Sequence, residues 1–177
     1  MLYYALVFLL IAILAAAAQS LWLPDPVNHM SGYLTIWIST ACLSAALTGV
    51  QMYTRTRRMH SGMSQEMMRI AVEQFLPAVG AGLLVTVVLV HYVPAVLWMI
   101  PGVWQVIFSL GIFSSCRFLP RPLLAAGAWY LMTGLFCIAV GGNRALSTWA
   151  MGIPYGAGQL LVAALLLFST HEGADES

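Results

Sequence analysis

The stretch LYYALVFLLIAILAAAAQ, residues 2–19, contains no charged side chain. A helix that crosses the hydrocarbon core of a bilayer needs about 20 mainly apolar residues, so this stretch is close to the required length. The small residues of AAAAQS, residues 15–20, are typical of a signal-peptide cleavage site, but the basic region that starts a signal peptide is missing. We therefore expect an uncleaved first transmembrane helix.

The composition extends this expectation to the whole chain. Its 177 residues are 61% hydrophobic and 7% charged, whereas a soluble domain carries about 25% charged residues. All seven cations are arginines, and the sequence contains no lysine. That excludes a Schiff-base mechanism and leaves no basic surface large enough to bind nucleic acid. We expect lipid to be the main solvent of this chain.

Five further segments are apolar enough to span a membrane: residues 31–53, 70–91, 101–118, 122–141 and 146–169. The sequence thus predicts an all-α, polytopic transmembrane bundle of about six helices. It forms a single domain over residues 1–170, and residues 171–177 form a short acidic tail. The segment YVPAVLWMI, residues 92–100, is expected to be an interfacial hairpin loop. Pro101 would then take the first position of helix four, where a missing N–H costs nothing.

The arginines predict how the chain sits in the membrane. Six of them fall in the second and fourth loops, and only Arg144 falls on the opposite side. Cytoplasmic loops carry an excess of cations, so both termini and the acidic tail are expected in the cytoplasm of a bacterial inner-membrane protein. A rival interpretation is a binding site for anionic lipid, at about 1 kcal/mol per cation. The six topology anchors are Arg55, Arg57, Arg58, Arg69, Arg117 and Arg121.

Small residues spaced four apart mark the expected helix contacts, because helices in lipid associate through close backbone approach. Two prolines, Pro77 in helix three and Pro154 in helix six, are expected to kink their helices or to leave a carbonyl free. Kinked helices can also line a cavity, which is the functional alternative. The small-residue rows are Ala41, Ala45 and Gly49 in helix two, Gly152 and Gly156 in helix six, and Ala12 and Ala16 in helix one.

Ionisable groups inside a membrane are functional by default, because burying them is costly. Glu73 is the strongest candidate for a proton or substrate role, and its alternative is a simple ion pair with Arg69, four residues earlier. Mid-span amides such as Gln105 are expected mainly to bond between helices. If the chain encloses a pocket, the candidate lining residues are Glu73, Pro77, Trp104, Gln105, Tyr155 and Gln159.

No catalytic residue, metal site or cofactor is predicted. The sequence contains no Ser-His-Asp, HExxH, Walker or Rossmann pattern, so an enzyme is not the favoured interpretation. His29 and His91, at helix ends on one side, leave a haem or metal site open as an alternative. Cys42 and Cys137 both lie toward the outer side and leave a disulfide open in the same way.

Several stretches carry a resemblance to known membrane proteins: YLTIWISTA, FLPAVGAGLLVTVVL, MIPGVWQVIFSLGIFSSCRFLPRPL and MGIPYGAGQLLVAALLL. Over about four fifths of its length, the chain resembles an uncharacterised family of small bacterial inner-membrane proteins. The opening MLYYALVFLLIAILAAAA departs from that pattern and looks more like the start of another uncharacterised family. Neither family has an assigned activity, so the resemblance implies a location and no site residue.

Three functions fit these observations. The favoured one is a structural, regulatory or accessory subunit that binds another membrane protein or a second copy of itself. The second is a small-molecule carrier, since six helices in a chain of this length resemble the substrate-binding subunits of energy-coupling-factor transporters. Those subunits dock through Ala-xxx-Ala faces, which Ala12 and Ala16 would supply here. The third is a redox subunit that uses His29 and His91.

Overall fold

The computed structural model describes residues 2–23, 25–58, 62–115 and 123–175. These residues form helices and no strand, so the all-α prediction is confirmed. A 3-10 helix, Pro94–Met99, joins two of the α-helices. The α-helices are α1 (Leu2–Trp22), α2 (Met30–Arg58), α3 (Gly62–Tyr92), α4 (Ile100–Ser115), α5 (Leu123–Val140), α6 (Gly142–Ala145) and α7 (Thr148–Asp175).

Within the described residues, four spans are long and apolar enough to cross a membrane: Met30–Val50, Val72–Tyr92, Pro94–Ser115 and Leu123–Val140. Leu6–Trp22 in α1 is a shorter apolar helix. Large hydrophobic side chains such as Leu14, Leu84 and Phe136 are exposed on the surface. An apolar surface of this kind is stable in lipid rather than in water. The chain is a membrane protein built as a helical bundle.

The prediction of a loop at residues 92–100 is wrong, because most of this segment is helical. Val93 has φ −136° and ψ 59°, and from Pro94 the chain forms the 3-10 helix that leads directly into α4. A proline fixes its own φ near the helical value and keeps the preceding residue extended. Helix α3 therefore ends at Tyr92, Val93 is non-helical, and a new helix starts at Pro94. Pro101 is the second residue of α4 rather than the first.

Two other boundaries differ from the sequence prediction. Helix α3 begins at Gly62, eight positions before the predicted residue 70. The polar turns before the apolar span are helical, and in them Arg69 pairs with Glu73 at 2.7 Å. Helix α7 continues to Asp175 and so includes most of the segment expected as a separate tail.

The bundle is held by extended contacts of α4 with α5 and α3, of α7 with α5 and α1, and of α1 with α2. Among the described residues, α2 and α3 share no extensive contact, although they are neighbours in sequence. Helices α4 and α5 approach each other backbone to backbone at Gly102 and Gly134. A Cβ added to Gly102 would lie 2.7 Å from the Gly134 carbonyl oxygen, so only glycine allows this contact.

The three connections α1–α2, α3–α4 and α5–α7 meet at one end of the bundle. Val27, Pro94 and Asn143, one residue from each connection, line the same cleft of about 180 Å³. We call this end the α6 end. Helices α2 and α4 run away from it, so Arg58 and Ser115 end those helices at the opposite side. Successive helices therefore run in alternating directions, as the prediction of the second and fourth loops on one side requires.

Candidate functional site

Gln105 of α4 bonds to a carbonyl that Pro154 leaves without its backbone partner. In a regular α-helix the Ala150 carbonyl would accept from the N–H four residues later, and proline has none. The structure places Gln105 Nε2 3.0 Å from the Ala150 carbonyl oxygen and 3.7 Å from Met151 Sδ. The expectation that Pro154 frees a carbonyl is confirmed. A buried amide from another helix satisfies that carbonyl.

The turn between α6 and α7 is tied to other helices in the same way. Gln19 Nε2 of α1 donates to the Leu146 carbonyl at 2.8 Å, and Gln19 Oε1 accepts from Trp37 Nε1 of α2 at 2.9 Å. The thiol of Cys137 in α5 lies 3.6 Å from the Ala145 carbonyl oxygen. Backbone carbonyls at a helix end need partners in a membrane, because lipid supplies none. We call this set, with Gln105, the polar junction.

Tyr33 of α2 lies in the hydrophobic core beside the polar junction. Its side chain is 0% exposed, and its ring centroid is 6.4 Å from that of Trp37. Ala15 and Leu146 belong to the same buried cluster, and Met151 packs against it. Sequence reasoning missed Gln19, Tyr33 and Trp37. The available signal was Gln19, a lone amide in an apolar segment.

The six residues predicted as pocket lining have different surroundings. Trp104 donates to Thr86 Oγ1 of α3 at 2.7 Å, and the Tyr155 hydroxyl lies 2.5 Å from Ser44 Oγ of α2. These two, like Gln105, link helices to each other. Gln159 is half-buried.

Glu73 and Pro77 lie apart from that set. Both are exposed on α3, and Glu73 forms the ion pair with Arg69. This hydrogen bond raises the pKa of the Arg69 guanidinium above its ordinary value. The pair is a solvated link within one helix and gives no geometry for substrate binding. The side chains of Arg55, Arg57 and Arg58, and all of Arg117 and Arg121, lie outside the described part of the structure.

The two small-residue rows have different surroundings. An added Cβ at Gly152 would lie 3.4 Å from Ala16 Cβ, and one at Gly156 would lie 3.9 Å from Ala12 Cβ. The row of α7 therefore packs on the alanines of α1. In α2, Ala41 and Ala45 are exposed, and no described residue lies within 4 Å of a Cβ added to Gly49.

The exposed side chains of α2 are also smaller, on the whole, than the exposed side chains of α3. Large aliphatic side chains cover the outward surface of α3, including Leu76, Leu83 and Leu84. Such side chains suit a lipid-facing surface, whereas small residues are typical of helix–helix contacts in membranes. The exposed residues of α2 that we call the α2 face are Ala41, Cys42, Leu43, Ala45, Ala46, Thr48, Gly49 and Val50.

The described histidines and cysteines show no shared site. His29 and His91 are both exposed, and His91 Nδ1 lies 3.0 Å from the Val87 carbonyl oxygen of its own helix. Among the described residues there is no group of three or more metal-binding side chains. Cys42 is exposed and Cys137 is buried, and both are free thiols, so the disulfide left open above does not form.

Comparisons with known proteins assign the chain to no family. No protein-family model, no curated protein and no solved structure matches it. The resemblance to uncharacterised inner-membrane proteins therefore stays a prediction. Function has to be inferred from the geometry of the helices themselves.

Proposed function

We propose that this protein is an accessory or structural subunit that binds a transmembrane helix of another membrane protein through the α2 face. The observation that carries the proposal is that Ala41, Ala45 and Gly49 are exposed on α2. All three lie within Met30–Val50, a span long and apolar enough to cross a membrane. Small side chains let a second helix approach closely, and close packing drives helix association in lipid.

The position of α2 in the bundle supports this role. Its first half is anchored by buried Tyr33 and Trp37, and the Ser44–Tyr155 hydrogen bond ties its middle to α7. From residue 45 to residue 50 every described side chain except Leu47 is exposed. Among the described residues, α1 is the only helix that α2 contacts extensively, which leaves a long surface of α2 exposed there. A partner helix on this surface would complete its packing.

The carrier hypothesis has less support. Of its six candidate lining residues, Trp104, Gln105 and Tyr155 already bond to neighbouring helices, whereas Glu73 and Pro77 are exposed. The alanine face of α1, which would have docked onto a transporter, is covered by Gly152 and Gly156 of α7. A carrier would need a different pocket and a different docking surface.

We further propose that the protein resides in a bacterial inner membrane with both termini in the cytoplasm. The support is the six-to-one distribution of arginines. The α6 end would then face outward, and the opposite end of the bundle would face the cytoplasm. Labelling of single cysteines introduced at Asn143 and Ser64 with a membrane-impermeant maleimide in intact cells tests this. Position 143 should react, position 64 should not, and the reverse pattern would contradict the orientation.

Site-specific photo-cross-linking in native membranes tests the partner proposal. A photoreactive amino acid placed at Ala45 should capture a discrete membrane protein, because that position lies on the α2 face. The same amino acid at Leu83 serves as the matched control, since Leu83 is exposed on the bulky surface of α3. Capture at position 45 and not at 83 supports the proposal. Lipid adducts alone at both positions would overturn it, and capture of a second copy would identify the partner as self.

A further inference from the structure

Two buried polar atoms in the core lack a hydrogen-bond partner among the described residues. They are the Tyr33 hydroxyl, on a side chain that is 0% exposed, and Gln105 Oε1, on a side chain that is 4% exposed. A buried polar group left unpaired destabilises the folded state, and lipid offers no substitute partner. Two such atoms in one core indicate that something else bonds to them.

Met151 lies close to Gln105 and packs against the cluster that contains Tyr33. Its sulfur is 3.7 Å from Gln105 Nε2. Trp104, the residue before Gln105, packs against the same cluster. Tyr33 and Gln105 therefore belong to one continuous region of the core, beside the polar junction.

The chemistry of the two atoms restricts what can bind. Gln105 Oε1 only accepts hydrogen bonds, whereas the tyrosine hydroxyl both donates and accepts. The described side chains of the cluster, such as Ala15, Trp37 and Leu146, carry no charge, so an ion would lose its hydration without compensation. A small neutral molecule that donates and accepts fits both atoms, and water is the smallest.

The cleft at the α6 end lies next to this region. The cleft at the α6 end, with its volume of about 180 Å³, is lined by Met30, Trp98 and Leu146. Leu146 is part of the Tyr33 cluster, and Met30 and Trp98 pack against it. The cleft and the buried cluster therefore share Leu146. A water molecule occupies about 30 Å³ of liquid volume, so the cleft has room for several.

We infer that the core between Tyr33 and Gln105 is a binding site for water, which donates to Gln105 Oε1, bonds to the Tyr33 hydroxyl and exchanges through the cleft at the α6 end. Buried waters typically make about three hydrogen bonds to groups that the protein leaves unpaired. The site opens to one end of the bundle. It is separate from the α2 face and does not depend on the proposed partner.

Radiolytic labelling in H₂¹⁸O tests the site in the intact protein in lipid nanodiscs. Hydroxyl radicals formed from bound water add ¹⁸O to adjacent side chains, even buried ones. Tyr130 is the matched control, since it is a tyrosine with similar burial (4% exposed) whose ring packs edge-on against Phe108. Tyr33 should be labelled at least several-fold faster than Tyr130. Equal labelling of the two tyrosines, whether slow or fast, would overturn the inference.

A cleft variant tests the exchange route. Ala95 is exposed and lines the cleft, so Ala95→Trp should fill it without disturbing the core. After rapid mixing with H₂¹⁸O, ¹⁸O labelling of Tyr33 should be delayed several-fold in this variant, with Tyr130 unchanged. Labelling of Tyr33 at the wild-type rate would show that water does not enter by the cleft.

Discussion

Two rows of small residues, one in α7 and one in α2, have the same spacing and opposite surroundings. In α7, Gly152 and Gly156 face the alanines of α1 and close a contact within the chain. In α2, Ala45 is exposed and Gly49 has open space beside it. The difference teaches that a small-residue row shows where a helix can approach, and only the fold shows whether the partner belongs to the same chain.

Gly156→Leu should have the largest effect, because it fills the occupied row. A Cβ at this position would already lie 3.3 Å from Leu9 Cδ1, and three further carbons have no room. Overpacking costs about 1–3 kcal/mol or more, so the unfolding temperature in nanodiscs should fall clearly. Gly49→Leu is the control and should unfold at or above the wild-type temperature. Equal losses in both variants would remove the distinction between the rows.

Gln105→Leu should destabilise the protein by about 1–3 kcal/mol, since it leaves the Ala150 carbonyl unpaired between helices. That carbonyl lies two residues before Gly152 of the α7 row, so the bond ties this part of α7 to α4. Pro154→Ala restores the N–H that a regular helix supplies to Ala150. Gln105→Leu should therefore lower the unfolding free energy by less in the Pro154→Ala background than in the wild type. A double-mutant cycle from unfolding measurements would show no coupling if the two residues act independently.

Tyr155→Phe should cost about 0.5–1.5 kcal/mol, the usual net value of a hydrogen bond. The bond from Tyr155 to Ser44, at 2.5 Å, joins the helix of the occupied row to the helix of the open row. Ser44→Ala should cost a similar amount, and the double variant should cost little more than either single change. Additive losses in unfolding free energy would mean that the two hydroxyls do not depend on each other.

Ala45→Leu should have the smallest effect on the isolated chain, because Ala45 is exposed. Both residues are good helix formers, so the unfolding temperature should stay close to that of the wild type. The yield of the partner complex should nevertheless fall in co-purification from native membranes. A variant that unfolds early would show instead that the α2 face packs within the chain.

The fold could be predicted from the sequence because hydropathy alone decides which segments enter lipid. The six apolar segments correspond to six long helices, although α3 starts earlier and α7 ends later than their apolar parts. The helices extend beyond their apolar parts through polar turns, such as the one around Arg69, which lie outside the hydrocarbon core of the membrane. The 3-10 helix at Pro94 was missed because a proline between two apolar runs also suits a loop.

The sites were harder to predict, because they depend on pairing between distant segments. The sequence indicated that Pro154 would free a carbonyl, but nothing in it showed that Gln105, 45 residues before Ala150, supplies the bond. The small-residue rows were visible as spacing alone. Whether α1 or another protein covers each row depends on how the helices are arranged around one another, which periodicity does not encode.

Native mass spectrometry of the protein, extracted gently from its own membrane, tests the central claim most directly. The wild type is compared with Gly49→Leu on the α2 face and with Gly80→Leu on α3. A Cβ added at either glycine meets no atom within 4 Å in the part of the chain that the structure describes. We predict a protein adduct of constant mass in the wild type and in Gly80→Leu, and its loss in Gly49→Leu. An adduct that survives in Gly49→Leu, or a bare monomer in the wild type, would contradict the claim.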